Sequence, residues 1–232
     1  MKIAIISDIH GNIYALEALL KVAEKEGVEK LLILGDVVGY YYHPKKIMEV
    51  INNWDHLLIR GNHEDILGDI IAGKLKESAV RLKYGSGHCI AIEQLSESEL
   101  QLLLNAPEKM QVECDGIKIL MCHGAPWQTD FYLYPDTDKE ILNKCKEFDV
   151  DLVFCGHSHY AFIYKSNTNI LVNCGSVGQS RSLGGQACWA LLNTANGVVQ
   201  LMSTPYHTQP LIDEVKKNDP ELPYLENILS RK

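Results

Sequence analysis

The chain has 232 residues, 46% of them hydrophobic and 22% charged, which suits one α/β domain of ordinary size rather than a string of small modules. Lys+Arg 22 against Asp+Glu 30 leaves a formal charge of -8, which excludes a global basic field of the kind that holds nucleic acid or an anionic membrane. No apolar run approaches the roughly 20 residues that span a bilayer, because even Ile3 to Ile6 is closed by Ser7, Asp8 and His10, and no export signal is evident.

In chain order, residues 2–7 are predicted as a strand, and Asn12 then opens a helix whose Ile13, Leu16, Leu20 and Ala23 recur at helical spacing before Gly27 closes it. The unit repeats with a strand at 30–35, a helix at 44–52 and a strand at 56–60, so βαβαβ wiring and a largely parallel sheet are expected. Residues 64 to about 110 read as mostly helical, with Ser96 and Glu99 spaced as a capping box before Leu100, Leu103 and Leu104, and with Pro107 ending the segment. Short strands follow at 117–123, 152–156, 161–164, 170–173, 187–193 and 198–202. Helix with strand first and strand-rich later predicts two mixed sheets face to face with helices outside, a four-layer α-β-β-α sandwich. The chain is expected to be one domain over 1–232, with a helical insertion at about 64–110 and a tail from about 204. Pro205, Pro210, Pro220 and Pro223 flank two short helical patches in that tail, which is expected to wrap the body or meet a partner. Seven cysteines, at 89, 114, 122, 145, 155, 174 and 188, include no Cys-x-x-Cys pair, so reduced thiols and a cytoplasmic address are expected.

Five polar clusters fall just beyond apolar strands: Asp8-Ile9-His10, Gly35-Asp36, Gly61-Asn62-His63-Glu64, His123-Gly124 and Gly156-His157-Ser158-His159. In open α/β sheets the loops outside the carboxyl ends of strands meet in one crevice, so these clusters can converge. Carboxylates and neutral imidazoles suit first-row divalent ions, and seven candidate ligands are too many for one tetrahedral centre but right for two metals sharing a ligand. Two metals a few Å apart is a hydrolase arrangement. Asp8 and His10, like His157 and His159, are two positions apart, which puts both side chains of each pair on one side if the chain stays extended.

This ordered set resembles the calcineurin-like metallophosphoesterase superfamily from Met1 to about Met202, and residues 7–12 and 173–181 are similar to its small bacterial and archaeal phosphodiesterase branch. The resemblance implies that Asp8, His10 and His159 hold one metal, that Asn62, His123 and His157 hold the other, and that Asp36 bridges them. It gives His63 the role of protonating or stabilising the leaving oxygen while a metal-bridging hydroxide attacks phosphorus in line. The implied cofactors are two divalent ions drawn from Mn, Fe, Ni, Co and Zn, and the implied substrate is a small phosphodiester or nucleotide. The alternatives are a phosphomonoesterase, a nucleotide pyrophosphohydrolase, or a non-catalytic scaffold of the retromer-subunit kind. Two departures stand out: Val38-Gly39-Tyr40 follows the Gly-Asp motif where protein phosphatases carry an Asp-Arg pair, and Cys174 stands where the small branch usually has Pro. The first argues against a phosphoprotein substrate.

Around these motifs, Arg181 is a candidate phosphate contact, and Tyr40, Tyr41 and Tyr42 together with Trp127, Phe131, Tyr132 and Tyr134 are candidates to line the mouth, where a nucleobase or aryl group would stack. Glu64 is either a support for the site or an exposed helix-start carboxylate, and Cys122 and Cys155 are expected in the core. His43, His56, His88 and His207 are expected to be surface or structural residues, and homo-oligomers are compatible with an acidic chain of this size.

Overall fold

Alternation along the first strand decides where it lies: Ile3 and Ile5 turn to one face, Ala4 and Ile6 to the other, and all four are fully buried, so this strand is central and covered on both sides. The computed structural model describes all 232 residues, Met1–Lys232. In chain order the elements are β1 (Lys2–Ile6), α1 (Ile13–Glu26), β2 (Lys30–Ile33), α2 (Pro44–Ile51), β3 (His56–Leu58), α3 (Asn62–Ile71), α4 (Glu77–Tyr84), α5 (Gly87–Gln94) and α6 (Glu97–Leu104). There follow β4 (Lys109–Cys114), β5 (Ile117–Cys122), α7 (Lys139–Leu142) running into a 3-10 turn, β6 (Leu152–Cys155), β7 (Phe162–Lys165), β8 (Ile170–Asn173), β9 (Gln186–Asn193), β10 (Val198–Pro205), α8 (Gln209–Asn218) and α9 (Pro223–Leu229).

One sheet runs β10-β9-β1-β2-β3 and the other β4-β5-β6-β8-β7; both are mixed, the first with β1-β2-β3 parallel beside an antiparallel β9–β10 pair, the second with β5-β6-β8 parallel between antiparallel edges β4 and β7. Their facing sides share one core of Ile3, Ile5, Leu32, Ile119, Met121, Phe154 and Val172. The outer face of the first sheet is covered by α1 and α2, where Leu16, Leu19 and Ile47 pack on Ala4, Ile6, Leu31 and Ile33. The outer face of the second sheet carries a thinner layer, in which Leu142 and Cys145 join Ala125 and Leu133 over Leu120, Val153 and Leu171. The result is the expected four-layer sandwich. Cys122 and Cys155 belong to that thin layer as buried hydrophobes, and burial raises both thiols, so neither is a thiolate. All seven cysteines are unpaired.

The helical run after β3 stops at Leu104, and residues 109–114, read in part as the end of that run, form β4 instead. Met110, Val112 and Cys114 turn to the core while Lys109, Gln111 and Glu113 turn to solvent, so the strand is a period-2 edge whose polar half hid it among helical patterns. The tail lies on the body: Leu211, Ile212, Val215, Leu225 and Ile228 pack against Tyr40, Tyr41 and Tyr42, and the Tyr41 hydroxyl donates to the Leu225 carbonyl at 3.1 Å. Asp219, between α8 and α9, is buried and accepts from Ser86 N, Ser86 Oγ and the Tyr42 hydroxyl, which bolts the tail to the α4–α5 junction. No helix is long and apolar enough to cross a membrane.

The capping box at α6 is made: Ser96 Oγ accepts from Glu99 N, Glu99 Oε2 accepts from Ser96 N, and Lys45 Nζ donates to both Glu99 oxygens at 2.9 and 3.0 Å. Lys45 and Ser96 pull the Glu99 carboxyl down from 4.5 to about 2, so its stabilising effect is full above pH 4.5 and is lost as the pH falls through about 2. Because the Lys45 side chain is 41% exposed, Glu99→Gln is expected to cost only about 1 kcal/mol in urea unfolding at pH 7. The gap to wild type is expected to narrow at pH 3; a gap independent of pH contradicts the ionic part of this account.

Candidate metal centre

The loops at the carboxyl ends of β1, β2, β5 and β6 meet between the two sheets, and their backbone is strained there. Asp8, His10, Asp36, His157 and His159 have φ of 55, 51, 53, 63 and 63°, all left-handed, a conformation that costs non-glycine residues roughly 1–3 kcal/mol each. The two-residue spacings therefore converge by left-handed turns and not by the extended chain expected from them. Loop-to-loop hydrogen bonds hold the turns: Asp8 N donates to Gly35 O, His10 N to Asp36 O and Gly11 N to Val37 O, at 3.1, 2.9 and 3.0 Å.

The side chains close on one another in two halves. In the first, Asp8 Oδ1 stands 3.1 Å from His159 Nε2 and 3.6 Å from His10 Nε2, and the two imidazole Nε2 atoms are 3.1 Å apart. In the second, His123 Nε2 stands 3.0 Å from Asn62 Oδ1 and 3.1 Å from His157 Nδ1. Asp36 Oδ2 lies between the halves, 3.7 Å from His10 Nε2 and 3.2 Å from His123 Nε2. All seven expected ligands are brought together. Among them, Asp8, His10, Asp36, His123, His157 and His159 are buried.

The donor set fits cations. His10 Nδ1, His123 Nδ1 and His159 Nδ1 meet the carbonyls of Val38, Leu34 and Gln179 at 3.1, 2.7 and 2.8 Å. A carbonyl only accepts, so each Nδ1 carries a proton, and a ring that is neutral turns its Nε2 lone pair inward. With both rings in their neutral Nδ1–H form, lone pairs from His10 and His159 face each other at 3.1 Å beside the Asp8 carboxylate, an arrangement that a positive charge among them would relieve. Asp8 Oδ1 and His157 Nε2 have no hydrogen-bond partner. Each carboxylate keeps one oxygen for the centre and ties down the other, since Asp8 Oδ2 accepts from His157 N and Asp36 Oδ1 accepts from His63 N. Burial opposes the charge of Asp8, yet the surrounding histidines hold it well below the usual carboxylate range, and the same balance holds Asp36 down. Burial likewise opposes a proton on His123, but the Asp36 carboxylate outweighs it and lifts the ring to about 10, whereas burial lowers His159 to about 4.

Glu64 supports the centre. It is buried, not exposed, and accepts four backbone N–H bonds, from Asp36, Val37, Val38 and Gly61, at 2.8, 2.8, 3.2 and 2.8 Å. It therefore welds the loop after β2 to the start of α3. Gly61 serves the same approach, because a methyl group there would overlap Asp36 Oδ1 and the His123 ring.

His63 stands beside the centre and is 3% exposed. Its ring is 4.7 Å from His10 and 4.9 Å from both Tyr40 and Tyr84, and it stacks on His88 at 5.0 Å and 14°. Gly39 makes room for it, since a side chain there would strike His63 Nδ1. His88, expected to be a surface or structural histidine, is fully buried with neither ring nitrogen hydrogen-bonded, so it is a wall of the site. Burial lowers His63 well below the ordinary histidine value and His88 to about 4.

Tyr40 is buried with its ring edge-on to His10 at 4.6 Å, and Tyr132 lies 4.0 Å from the His157 ring. Tyr41 and Tyr42 face the tail, and Trp127 and Phe131 pack over the second sheet, so these four do not line the mouth. Arg181 donates its backbone N–H to the His159 carbonyl at 3.3 Å. Burial works against its charge, but Tyr224, Tyr40, Tyr132 and Asp8 around it favour that charge. Tyr84, His88 and Tyr224 come from the helical segment and the tail and carry no motif that marks them in the sequence.

A family model described as "Calcineurin-like phosphoesterase superfamily domain" matches residues 1–197. Protein MJ0912 of Methanocaldococcus jannaschii is 29% identical over 236 residues, covering 93% of this chain and 92% of that protein. Phosphodiesterase YfcE of Escherichia coli is 36% identical over 72 residues, covering 27% of this chain and 39% of that enzyme. The crystal structure of protein PH1004 from Pyrococcus horikoshii superposes with a TM-score of 0.83 at 22% identity, over 99% of this chain and 98% of that one, a likeness of fold.

Glu64→Ala leaves four buried N–H groups without an acceptor and is expected to destabilise the protein by at least about 2 kcal/mol. Metal retention after dialysis is expected to fall with it, although Glu64 touches no metal-facing atom. Unchanged melting temperature and unchanged metal content in Glu64→Ala would remove the supporting role.

Proposed function

The chain belongs to the calcineurin-like phosphoesterase superfamily, and from that premise we propose that it is a binuclear metal-dependent phosphodiesterase acting on a small phosphodiester or nucleotide. The observation that carries the reading is Asp36 Oδ2, which stands within 3.7 Å of His10 Nε2 and 3.2 Å of His123 Nε2, where one carboxylate oxygen can serve two ions. Asp8, His10 and His159 would hold one divalent ion, and Asn62, His123 and His157 the other. Mixed oxygen and nitrogen donors suit Mn, Fe, Ni, Co or Zn, with manganese the ion to try first. When bound, two such ions supply an ionised water as nucleophile and neutralise the phosphoryl oxygens.

The protein's own groups do the rest. His63 is the acid in this reading, facing the leaving oxygen from a pocket of His10, Tyr40, Tyr84 and His88. In the free protein burial keeps its ring neutral; an anionic phosphoester beside it favours the protonated form, so protonation belongs to the complex. Its ligand atom also lies within 4.8 Å of those of His10 and Asp36, so metal content is the measurement that separates an acid from a ligand. Arg181 and Tyr40 are the proposed substrate contacts, the first on a phosphoryl oxygen. Seven unpaired cysteines support a reducing, cytoplasmic address, and a homo-oligomer is compatible with the reading.

The test is hydrolysis of bis-p-nitrophenyl phosphate beside p-nitrophenyl phosphate, using metal-stripped protein resupplied with Mn²⁺, Ni²⁺, Zn²⁺ or Mg²⁺. Metal-dependent turnover of the diester is expected. Preference for the monoester would make the enzyme a phosphomonoesterase, and no turnover at two bound metals per chain would favour a scaffold.

Two variants divide the roles. Asp36→Asn is expected to weaken both metals, whereas His63→Ala is expected to keep its metal content and lose about 10²–10⁴ in kcat. Full metal content in Asp36→Asn, or lost metal in His63→Ala, would reverse these assignments.

A further inference from the structure

Two solvent-exposed tyrosine rings flank the ligand cluster from opposite halves. Tyr132, 43% exposed, lies over His157 with ring centroids 4.0 Å apart and a tilt of 34°. On the other half Tyr40 packs on His10, and Tyr224, 42% exposed, sits 6.4 Å from Tyr40. Both rings are held in place. Tyr132 stacks on Tyr134 at 6.0 Å and 8°, and the Tyr224 hydroxyl donates to Gln179 Oε1 at 2.9 Å, on the residue whose carbonyl orients His159. Arg181 is anchored at the same rim, its backbone N–H donating to the His159 carbonyl at 3.3 Å.

Large aromatic rings normally hide most of their area, and a fixed, exposed ring face is a stacking platform that demands little ordering of the protein when a flat group arrives. A guanidinium beside the platforms matches a phosphoryl oxygen in charge and shape. We propose that Tyr132 and Tyr224 are the specificity-determining walls of the mouth, taking the planar aromatic groups of a phosphodiester, as in a nucleoside or aryl ester, while Arg181 meets its phosphate. This inference rests on the phosphodiesterase reading for where the phosphate lies. A dialkyl phosphodiester would leave both rings in water. Tyr224 also gives the tail a part in substrate selection, although the tail lies beyond residues 1–197 matched by the family model.

The test compares two diesters with one leaving group, thymidine 5′-(p-nitrophenyl phosphate) and methyl p-nitrophenyl phosphate. In the wild type kcat/KM is expected to favour the thymidine ester by about tenfold. That ratio is expected to drop about fivefold or more in Tyr224→Leu and Tyr132→Leu, through KM, and to survive in Tyr224→Phe and Tyr132→Phe, which keep the ring. A wild-type ratio near one, or leucine variants with the wild-type ratio, would overturn the proposal. If neither ester is hydrolysed, the phosphodiesterase reading fails and calorimetry decides the subsite separately. Thymidine 5′-monophosphate is then expected to bind more tightly than methyl phosphate and to lose that advantage in the leucine variants; equal affinity of the two in the wild type sinks the subsite as well.

Discussion

The Asp36 carboxylate is where the molecule's opposing demands meet. It is a buried anion reached by imidazoles from both halves of the centre, and a second buried carboxylate, Glu64, holds its backbone N–H. Two anions this close in a dry interior repel, and burial together with the Asp36 charge lifts the Glu64 carboxyl to about 7. Four N–H donors on Glu64, one on Asp36 and the positive charge implied by the inward lone pairs are what make the pair tolerable. Cation binding and loop conformation are therefore one equilibrium, because the same loop carries Asp36 and the carbonyl that orients His10.

The two sheets serve this point. Parallel strands β1 and β2 from one sheet, and β5 and β6 from the other, release their loops at the same end, so each sheet contributes candidate ligands to the centre. The shared core of Ile3, Ile5, Met121 and Phe154 sets the distance between those loops. Left-handed backbone at five ligand positions is stored strain, and a packed frame can hold it where an isolated loop would relax.

Much of this was legible in the residues. Polar clusters following apolar strands pointed to the residues that the fold gathers, and the βαβαβ pattern located the sheet. What escaped was of another kind. The ligand pairs at Asp8 and His10, and at His157 and His159, converge through φ values that no side-chain pattern announces. β4 was hidden because its polar half imitates a solvated helix face. Glu64 looked ambiguous because a helix-start carboxylate is ordinarily exposed, and only the fold brings the backbone of Asp36, Val37 and Val38 onto it. His88 and Tyr224 reach the site from segments without a motif, through tertiary packing that periodicity does not encode.

The tail's contact with Tyr40, Tyr41 and Tyr42 has a consequence for how such a scaffold diversifies. The proposed ligands lie at or before His159, while the proposed rim residue Tyr224 sits in the last helix, joined to the body through Asp219 and a patch of aliphatic side chains. On the proposed reading, chemistry and selectivity are recorded in separate stretches of one chain. Substitutions in the closing helix can retune which molecules enter without disturbing the strained loops, so the rim is free to drift at a pace that the ligand positions cannot follow.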